Sequence, residues 1–248
     1  MAPKHKTTDT IKAILIALFA ALVLRQFVLA SYNVPTGSMK DTILVGDFMF
    51  VNKFVYGART PVWLGVPFTD IGFALPYYTF PAISEPKQYD ILVFDYPVDI
   101  HLDYIKRCVA VGGQTVEVRD RTLLIDGEPE GATTPLRKTY DRQEGYNGVY
   151  VDYTRVNPSA SDPYTIRHYS DRIALARRDY GPRPVPENHF FMMGDNRDNS
   201  QDSRTWGFVS RDQIGGKPLM IWLSWDSGVP AYRFYDKIRW NRLGSLIR

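Results

Sequence analysis

A serine in a tight turn is the first residue of this chain whose setting could support catalysis. Ser38 lies in the stretch VPTGSM at positions 34–39. Pro35 and Gly37 bracket a rigid turn that presents the hydroxyl at a loop tip, beside backbone N–H groups that can face a ligand. A nucleophile and part of an oxyanion hole can share one such loop. The same residues are also common in ordinary turns, so the motif alone favours a purely structural turn.

A lysine within an apolar strand is the second candidate. Lys106 lies in YIKRCVAV at positions 104–111, and strand alternation puts it on one face with Tyr104, Cys108 and Ala110. Desolvation there would lower its pKa from about 10.4 towards the value of about 7 to 8 that suits a general base. The alternative is a lysine that snorkels at the edge of a sheet. Lys40, two residues from Ser38, is another candidate base, but nothing in its polar surroundings should lower its pKa.

The third stretch is the run GDNRDNSQDSR at positions 194–204, followed by Trp206 and Gly207. It resembles a calcium loop only loosely, because Arg197 stands where an oxygen ligand is needed and no glutamate closes the loop. A loop cross-braced by Asp–Arg pairs and Asn hydrogen bonds, which holds a hydroxyl in place, explains the composition better. Cys108 is predicted to be a buried, unreactive thiol because of its position in the strand.

An apolar segment at residues 11–30 would tie these stretches to a membrane. Twenty helical residues span about 30 Å, the thickness of a bilayer core. The basic residues before it predict a cytoplasmic N-terminus at residues 1–10, with residues 31–248 on the other side. A cleaved signal peptide is the alternative, since Val28 to Ala30 has the spacing of a cleavage site. Arg25 and Gln26, which lie between the apolar core and that site, favour a retained anchor.

Beyond residue 30 the pattern is typical of a mainly β protein with little further helix. The predicted strands are 45–55, 90–96, 104–111, 115–118, 122–125, 190–193 and 219–225, with a hairpin turn at Asp126-Gly127. Residues 57–88 are rich in proline and aromatic residues and predict an exposed loop. Residues 127–188 are polar and indicate an insertion on the main sheet. The basic tail, residues 238–248, is predicted to lie on a membrane surface.

Composition excludes several classes of protein. With 44% hydrophobic and 23% charged residues in 248, the chain is neither disordered nor fibrous. A net charge of +3 gives no reason to expect a nucleic-acid partner, and one cysteine excludes an intrachain disulfide. Four scattered histidines without an HExxH pattern predict no metal site and no cofactor.

Taken in order, the apolar segment, PTGSM, GDFMFVNKF, DYIKR and GDNRDNSQDSRTWG resemble bacterial signal peptidase I. That family consists of membrane-anchored serine endopeptidases that remove signal peptides from exported proteins. The resemblance runs to about residue 125, resumes from about 187 to 225, and includes the closing IRWNRLG. It implies a β-rich core of the signal-peptidase type with an inserted cap, in agreement with the insertion at 127–188, on a single N-terminal transmembrane helix.

The resemblance also implies a role for each matched residue. Ser38 would be the nucleophile and Lys106 the general base, a Ser–Lys dyad without histidine. The backbone N–H of Ser38 and the hydroxyl of Thr36 would form the oxyanion hole, and Ser200 would orient the Lys106 amine. Structural bracing is expected from Asp195, Arg197, Asp202 and Arg204. The expected walls of the substrate pocket are Val34, Met39, Tyr104 and Ile105.

The resulting hypothesis is a monomeric endopeptidase of the inner membrane, with its catalytic domain on the periplasmic side. It would cleave exported preproteins, bound as an added β-strand, after small residues at the positions one and three before the cut. Its partners would be signal peptides and the lipid bilayer. Two alternatives remain: a membrane-tethered β-domain that binds peptides without catalysis, and a self-cleaving repressor-type Ser–Lys peptidase.

Overall fold

The structure is a computed structural model. It describes residues 4–60, 63–65, 72–74, 78–141, 149–158, 163–169 and 179–248. One long helix is followed by a mainly β body, as the sequence predicts. The only other α-helices in the described part are single turns, α2 (Ser203–Trp206) and α3 (Phe234–Lys237).

The N-terminal helix α1 covers Lys4–Phe27, and its stretch Asp9–Phe27 is long and apolar enough to cross a membrane. None of that stretch is buried against the rest of the chain. The helix ends three residues before the predicted boundary at residue 30, because Leu29–Asn33 forms a strand. Ala30 within that strand is buried and pairs with Val51. Hydropathy alone could not separate the start of this strand from the helix, since residues 28–30 continue the apolar run.

Sixteen strands are described. Their bounds are β1 (Leu29–Asn33), β2 (Asp47–Asn52), β3 (Trp63–Gly65), β4 (Gly72–Ala74), β5 (Ile91–Tyr96), β6 (Asp99–Val111), β7 (Thr115–Arg119), β8 (Thr122–Ile125), β9 (Glu128–Pro129), β10 (Ala132–Asp141), β11 (Val149–Asn157), β12 (Tyr164–Tyr169), β13 (Tyr180–Pro184), β14 (His189–Met193), β15 (Val209–Ser210) and β16 (Ile214–Ser224).

A seven-stranded sheet in the order β1-β2-β16-β5-β6-β14-β15 carries the candidate residues. All of its described pairings are antiparallel. Its main core cluster consists of Val34, Met39, Ile43, Met49, Val51, Ile91, Val93, Ile221 and Ile247. Because this cluster joins the segment around Ser38 to the sheet, burial of apolar surface fixes the position of the serine turn.

Each of the seven predicted strands has a counterpart in the structure, with boundaries that differ by a few residues. The largest differences are in β6 and β16, each of which begins five residues before its predicted start at Tyr104 or Leu219. The hairpin turn at Asp126-Gly127 is confirmed: both residues have positive φ (54° and 86°), and Ile125 pairs with Glu128. A β-bulge opposite Phe191 and Met192 breaks the predicted alternation of β6. Ala110 therefore packs in a different cluster from Cys108, with which it was expected to share a face.

The segment at 127–188 is not simply an appendage. Its strands β10, β11 and β12 form a three-stranded sheet, but β13 returns to pair with β7 in the four-stranded sheet β13-β7-β8-β9. The backbone of Arg167 in β12 also forms a bridge with Asn196 in the polar loop. The segment therefore contacts the polar loop directly, although it was expected only to cap the core.

The loop at 57–88 is described only in part. Tyr78 and Phe80 are exposed, and Phe80 makes an edge-on contact with Phe27 at the end of α1. Of the other aromatic residues expected to be exposed there, Phe68 and Tyr77 lie outside the described residues, and Trp63 and Phe73 are described only as members of β3 and β4. In the tail, Trp240 and Leu246 are exposed as expected, whereas Ile247 packs in the main core cluster.

Candidate active site

Ser38 occupies a compact turn directly after β1. The backbone N–H of Lys40 donates to the carbonyl of Gly37 (3.1 Å), and the N–H of Ile43 donates to the carbonyl of Met39 (2.7 Å). Ser38 is 7% exposed, so its hydroxyl lies at the floor of a cleft and not at a free loop tip. The helical geometry after the serine turns the next side chain, Met39, into the core.

Lys106 lies against this serine. Its side chain is 3% exposed, and its amine donates to Ser38 Oγ (2.7 Å) and to the Ile105 carbonyl (3.0 Å). Burial lowers the pKa of Lys106 to about 8, although the charges of Asp202 and Asp195 act in the opposite direction. Desolvation of this lysine was expected from the sequence, and the snorkelling alternative is excluded by its burial. Lys40, the other candidate base, is half-buried on the same turn.

A cavity of about 280 Å³ opens beside the two residues. Three of the four predicted wall residues line it, namely Val34, Tyr104 and Ile105, and so does Thr36. The prediction for Met39 is wrong: its side chain is 0% exposed and packs in the core cluster. Met49 takes its place in the wall.

The cavity lies between two strand edges. Strand β1 is at the end of the seven-stranded sheet, and β14 pairs with β6 only at Arg107–Val111. Within the described part of the chain, residues 103–106 of β6 therefore pair with β5 alone. Unpaired edges of this kind can accept an additional strand through backbone hydrogen bonds.

Asn196 connects the polar loop to the serine turn. Its backbone N–H donates to the Ser38 carbonyl (3.0 Å), and its side-chain amide donates to the Gly37 carbonyl (3.0 Å). These two bonds hold the carbonyls of the two peptide groups that flank Ser38, Gly37–Ser38 and Ser38–Met39. Sequence reasoning missed this role, although it expected Asn side chains to make hydrogen bonds in the loop.

The bracing residues of the loop are buried and paired, but two of the partners are unexpected. Asp202 binds Arg204 through both carboxylate oxygens (2.8 Å each), as predicted. Asp195 binds the guanidinium of Arg107, the neighbour of Lys106, at 2.9 and 2.8 Å. It also accepts a hydrogen bond from the hydroxyl of Thr42 (2.6 Å). One carboxylate therefore ties together the serine turn, the lysine strand and the loop.

Arg197 is braced by the inserted segment. Both oxygens of Glu130 lie 2.7 Å from its guanidinium, and Tyr164 donates to the same carboxylate (2.7 Å). Sequence reasoning missed Glu130 and Tyr164, because no local motif marks either residue. The pairing depends on a fold-back of the insertion that the sequence pattern does not show.

Ser200 does not orient the lysine amine in this structure, contrary to the expectation. The amine binds Ser38 and a backbone carbonyl, while Ser200 Oγ is buried without a hydrogen-bond partner. The Ser200 hydroxyl nevertheless lies close to the serine turn. It and the Ser38 carbonyl oxygen both approach Gly194 closely, from the side on which a Cβ atom would lie. Cys108 is fully buried, and burial raises the pKa of its thiol, in agreement with an unreactive role.

Comparison with known proteins gives concordant matches. The family described as signal peptidase, peptidase S26, matches residues 7–225. Signal peptidase I of Pseudomonas aeruginosa is 36% identical over 220 residues, covering 84% of this chain and 69% of the relative. That of Aquifex aeolicus is 32% identical over 234 residues, covering 84% and 80%. A crystal structure of a signal peptidase I from Enterococcus faecalis is 28% identical and covers 54% of this chain and 97% of that one. Its TM-score of 0.31 is too low to bear on the fold.

Proposed function

This chain belongs to the signal peptidase family, peptidase S26, and on that premise we propose that Ser38 and Lys106 form its catalytic dyad. Its activity is the cleavage of signal peptides from exported preproteins, as a serine peptidase. One observation carries the assignment of the dyad: the buried Lys106 amine lies 2.7 Å from Ser38 Oγ. A general base must be within about 2.6 to 3.2 Å of the proton donor, and this pair meets that requirement without substrate.

The neutral amine of Lys106 takes the proton of Ser38 as Oγ attacks the scissile carbonyl. The resulting ammonium then protonates the leaving amine, and an acyl-enzyme on Ser38 remains. The same amine, neutral again, removes a proton from water, which attacks the ester and releases the signal peptide. Burial supports this cycle, since a pKa of about 8 leaves about one amine in ten neutral at pH 7.

The oxyanion of the tetrahedral intermediate would be stabilised by the Ser38 backbone N–H and the Thr36 hydroxyl. Both residues line the cavity on the side of the serine turn. Asn196 supports this role indirectly, because its bonds to the Gly37 and Ser38 carbonyls restrict the peptide groups of the turn.

The substrate would bind as an extended strand between the free edges of β1 and β6. In a strand, the residues one and three before the cut point to the same side. On that side Val34, Met49, Val93 and Ile105 line the cavity with apolar surface, which suits small side chains such as alanine. The buried polar groups of the dyad then lie at the end of this apolar floor.

Helix α1 would anchor the enzyme, with residues 1–10 in the cytoplasm and the peptidase domain, from residue 31 onwards, on the periplasmic side. The basic residues Lys4 and Lys6, which precede the apolar stretch Asp9–Phe27 of this helix, support this orientation. Retention of the helix is supported by Ala30, since cleavage after it would divide β1, where Ala30 pairs with Val51. The proposal includes a monomeric enzyme that has no nucleic-acid partner.

Cleavage of a preprotein by the full-length enzyme in detergent tests the dyad. The wild type is expected to release a mature protein with the correct N-terminus, and Ser38→Ala is expected to leave the preprotein intact. A Ser38→Ala enzyme that still cleaves would remove Ser38 as the nucleophile. A wild type that binds the preprotein without cleaving it would favour the peptide-binding alternative, which needs no neutral amine.

A further inference from the structure

The hairpin between β5 and β6 exposes an apolar tip. Val98 is 71% exposed, Ile100 63% and Leu102 48%, three large apolar side chains within five residues. Ile100 and Leu102 lie in a bulge of β6, because the pairing with β5 passes directly from Asp103 to Asp99. Single exposed apolar residues are normal in a protein, but a cluster of this kind at a hairpin tip indicates a contact surface.

The base of this hairpin is held beside the end of helix α1. The side-chain amide of Gln26, in the last turn of the helix, donates to the carbonyl of Arg59 (3.1 Å). The guanidinium of Arg59 donates to Asp95 (2.7 Å), and Asp95 pairs with Asp103 across the hairpin. These contacts place the base of the hairpin near the level at which the helix ends.

The direction of the strands shows where the tip points. Four antiparallel pairings lead from β1 through β2, β16 and β5 to β6, so β1 and β6 run in the same direction. Strand β1 begins two residues after α1 and leads towards Ser38, just as β6 leads from the tip towards Lys106. The tip therefore points back towards the helix. Beyond the pair Asp95–Asp103, the hairpin continues towards the helix by the pair Tyr96–Asp99 and the turn at residues 97–98, and residues 100–102 bulge out beside it.

We propose that the tip, residues 98–102, inserts into the lipid bilayer beside α1 and is a second membrane contact. The inference rests on the proposed anchoring role of α1. The exposed apolar side chains of the tip match the acyl region of a bilayer, and the polar residues between them in sequence, Asp99 and His101, match the headgroups. A second contact would stop the peptidase domain from rotating about the helix axis. It would also keep the free edge of β6 over the point where a signal peptide leaves the membrane.

Fluorescence of the full-length protein in liposomes tests the insertion. An environment-sensitive label is attached to Ile100→Cys and, as the matched control, to Glu128→Cys at another exposed hairpin; Cys108 is buried. We expect lipids with acyl-chain spin labels to quench the Ile100 probe at least twofold more than the control, and aqueous iodide to quench it less. Equal quenching of both probes by iodide would overturn the proposal. So would shielding of the Ile100 probe only after a signal peptide is added, since the tip would then bind substrate.

Flotation of the same samples separates this proposal from the anchoring role of α1. Protein that fails to float with liposomes contradicts the anchor, whereas protein that floats with a water-exposed tip contradicts the insertion alone.

As a second measurement, the tip is made polar by Val98→Asn, Ile100→Asn and Leu102→Asn, with Leu136→Asn as the control for an exposed apolar residue. We expect kcat/KM to stay within twofold on a short peptide in detergent and to fall at least fivefold on a preprotein in liposomes. Equal effects on both substrates, or none, would contradict the proposal.

Discussion

Glu130 binds Arg197 through both carboxylate oxygens, at 2.7 Å each, although the residues belong to different segments of the chain. Glu130 follows β9 at the start of the inserted segment, and Arg197 lies in the polar loop that also contacts Ser38. Both side chains are buried. The insertion is therefore part of the support of the candidate active site, and its removal would leave a buried guanidinium without its partner.

Replacing this carboxylate by an amide should destabilise the protein. Glu130→Gln leaves the Arg197 charge buried and poorly compensated, which typically costs about 3 to 5 kcal/mol. The matched control is Glu128→Gln, two residues away and exposed. Thermal unfolding in detergent should show a large drop in Tm for the first variant and almost none for the second. Equal Tm values would mean that the ion pair contributes nothing to the loop.

The identity of the base can be tested with two lysine variants. Lys106→Arg keeps a positive charge but cannot act as a base, because a guanidinium does not deprotonate in proteins. We expect it to lower kcat by about 10²- to 10⁴-fold, while Lys40→Arg stays within a few-fold of the wild type. Cleavage of a peptide substrate in detergent measures both. An active Lys106→Arg enzyme together with an inactive Lys40→Arg enzyme would make Lys40 the base.

The pH profile should report the titration of Lys106. The neutral amine is the active form, so kcat/KM should rise about tenfold per pH unit below the pKa and level off above it. Because burial lowers that pKa to about 8, the midpoint is expected near pH 8. A peptide substrate without groups that titrate between pH 6 and 10 isolates the enzyme's own ionisation. A midpoint near the ordinary lysine value of about 10.4 would show that the amine is not desolvated.

Much of this site was predictable because its residues lie in short motifs on predictable elements. The alternation of β6 made Lys106 a candidate for desolvation, with a snorkelling lysine as the alternative, and the polarity of residues 194–204 indicated a braced loop. Met39 was misplaced for a local reason: adjacency to Ser38 suggested a pocket wall, but the helical turn after the serine points Met39 into the core. The bond from Ser200 to the lysine amine, which the family resemblance implied, is not present in this structure.

What the sequence could not show are contacts between distant segments. Glu130 and Tyr164 meet Arg197 only after the insertion has folded back, and no periodicity marks such a meeting. The end of the helix was also hidden, since the apolar run from α1 continues into the buried strand β1. The pairing of β1 with β2, which includes Ala30 with Val51, shows where the helix stops.

The same lysine should cost the protein stability at neutral pH. Its pKa is about 8 in the folded chain and 10.5 when exposed, so the unfolded chain binds more protons between these values. The free energy of unfolding should therefore rise with pH across this window, by about 3 kcal/mol for this group. We expect Lys106→Met to be more stable than the wild type at pH 7, with a difference that shrinks towards pH 10.5. A difference that does not depend on pH would mean that packing, and not charge, separates the two proteins.

Gly194 should be required for the contact between the polar loop and the serine turn. A Cβ atom at this position would lie 2.3 Å from Ser200 Oγ and 2.5 Å from the Ser38 carbonyl oxygen. Either the loop or the Ser38 backbone must then move, and a displacement of about 1 Å at reacting groups can cost about 10²-fold in rate. We expect Gly194→Ala to lower kcat by that order in the peptide assay.

Gly215→Ala is the matched control for this substitution, because its Cβ would meet only an ordinary contact, 3.4 Å from the Val93 carbonyl. The double variant Gly194→Ala/Ser200→Gly separates the two clashes at Gly194. It relieves the contact with the Ser200 side chain but not the one with the Ser38 carbonyl. Partial recovery of kcat would assign the remaining loss to displacement of the serine backbone. Wild-type kcat in Gly194→Ala alone would contradict the close approach of the loop to Ser38, on which the positioning role of Asn196 also depends.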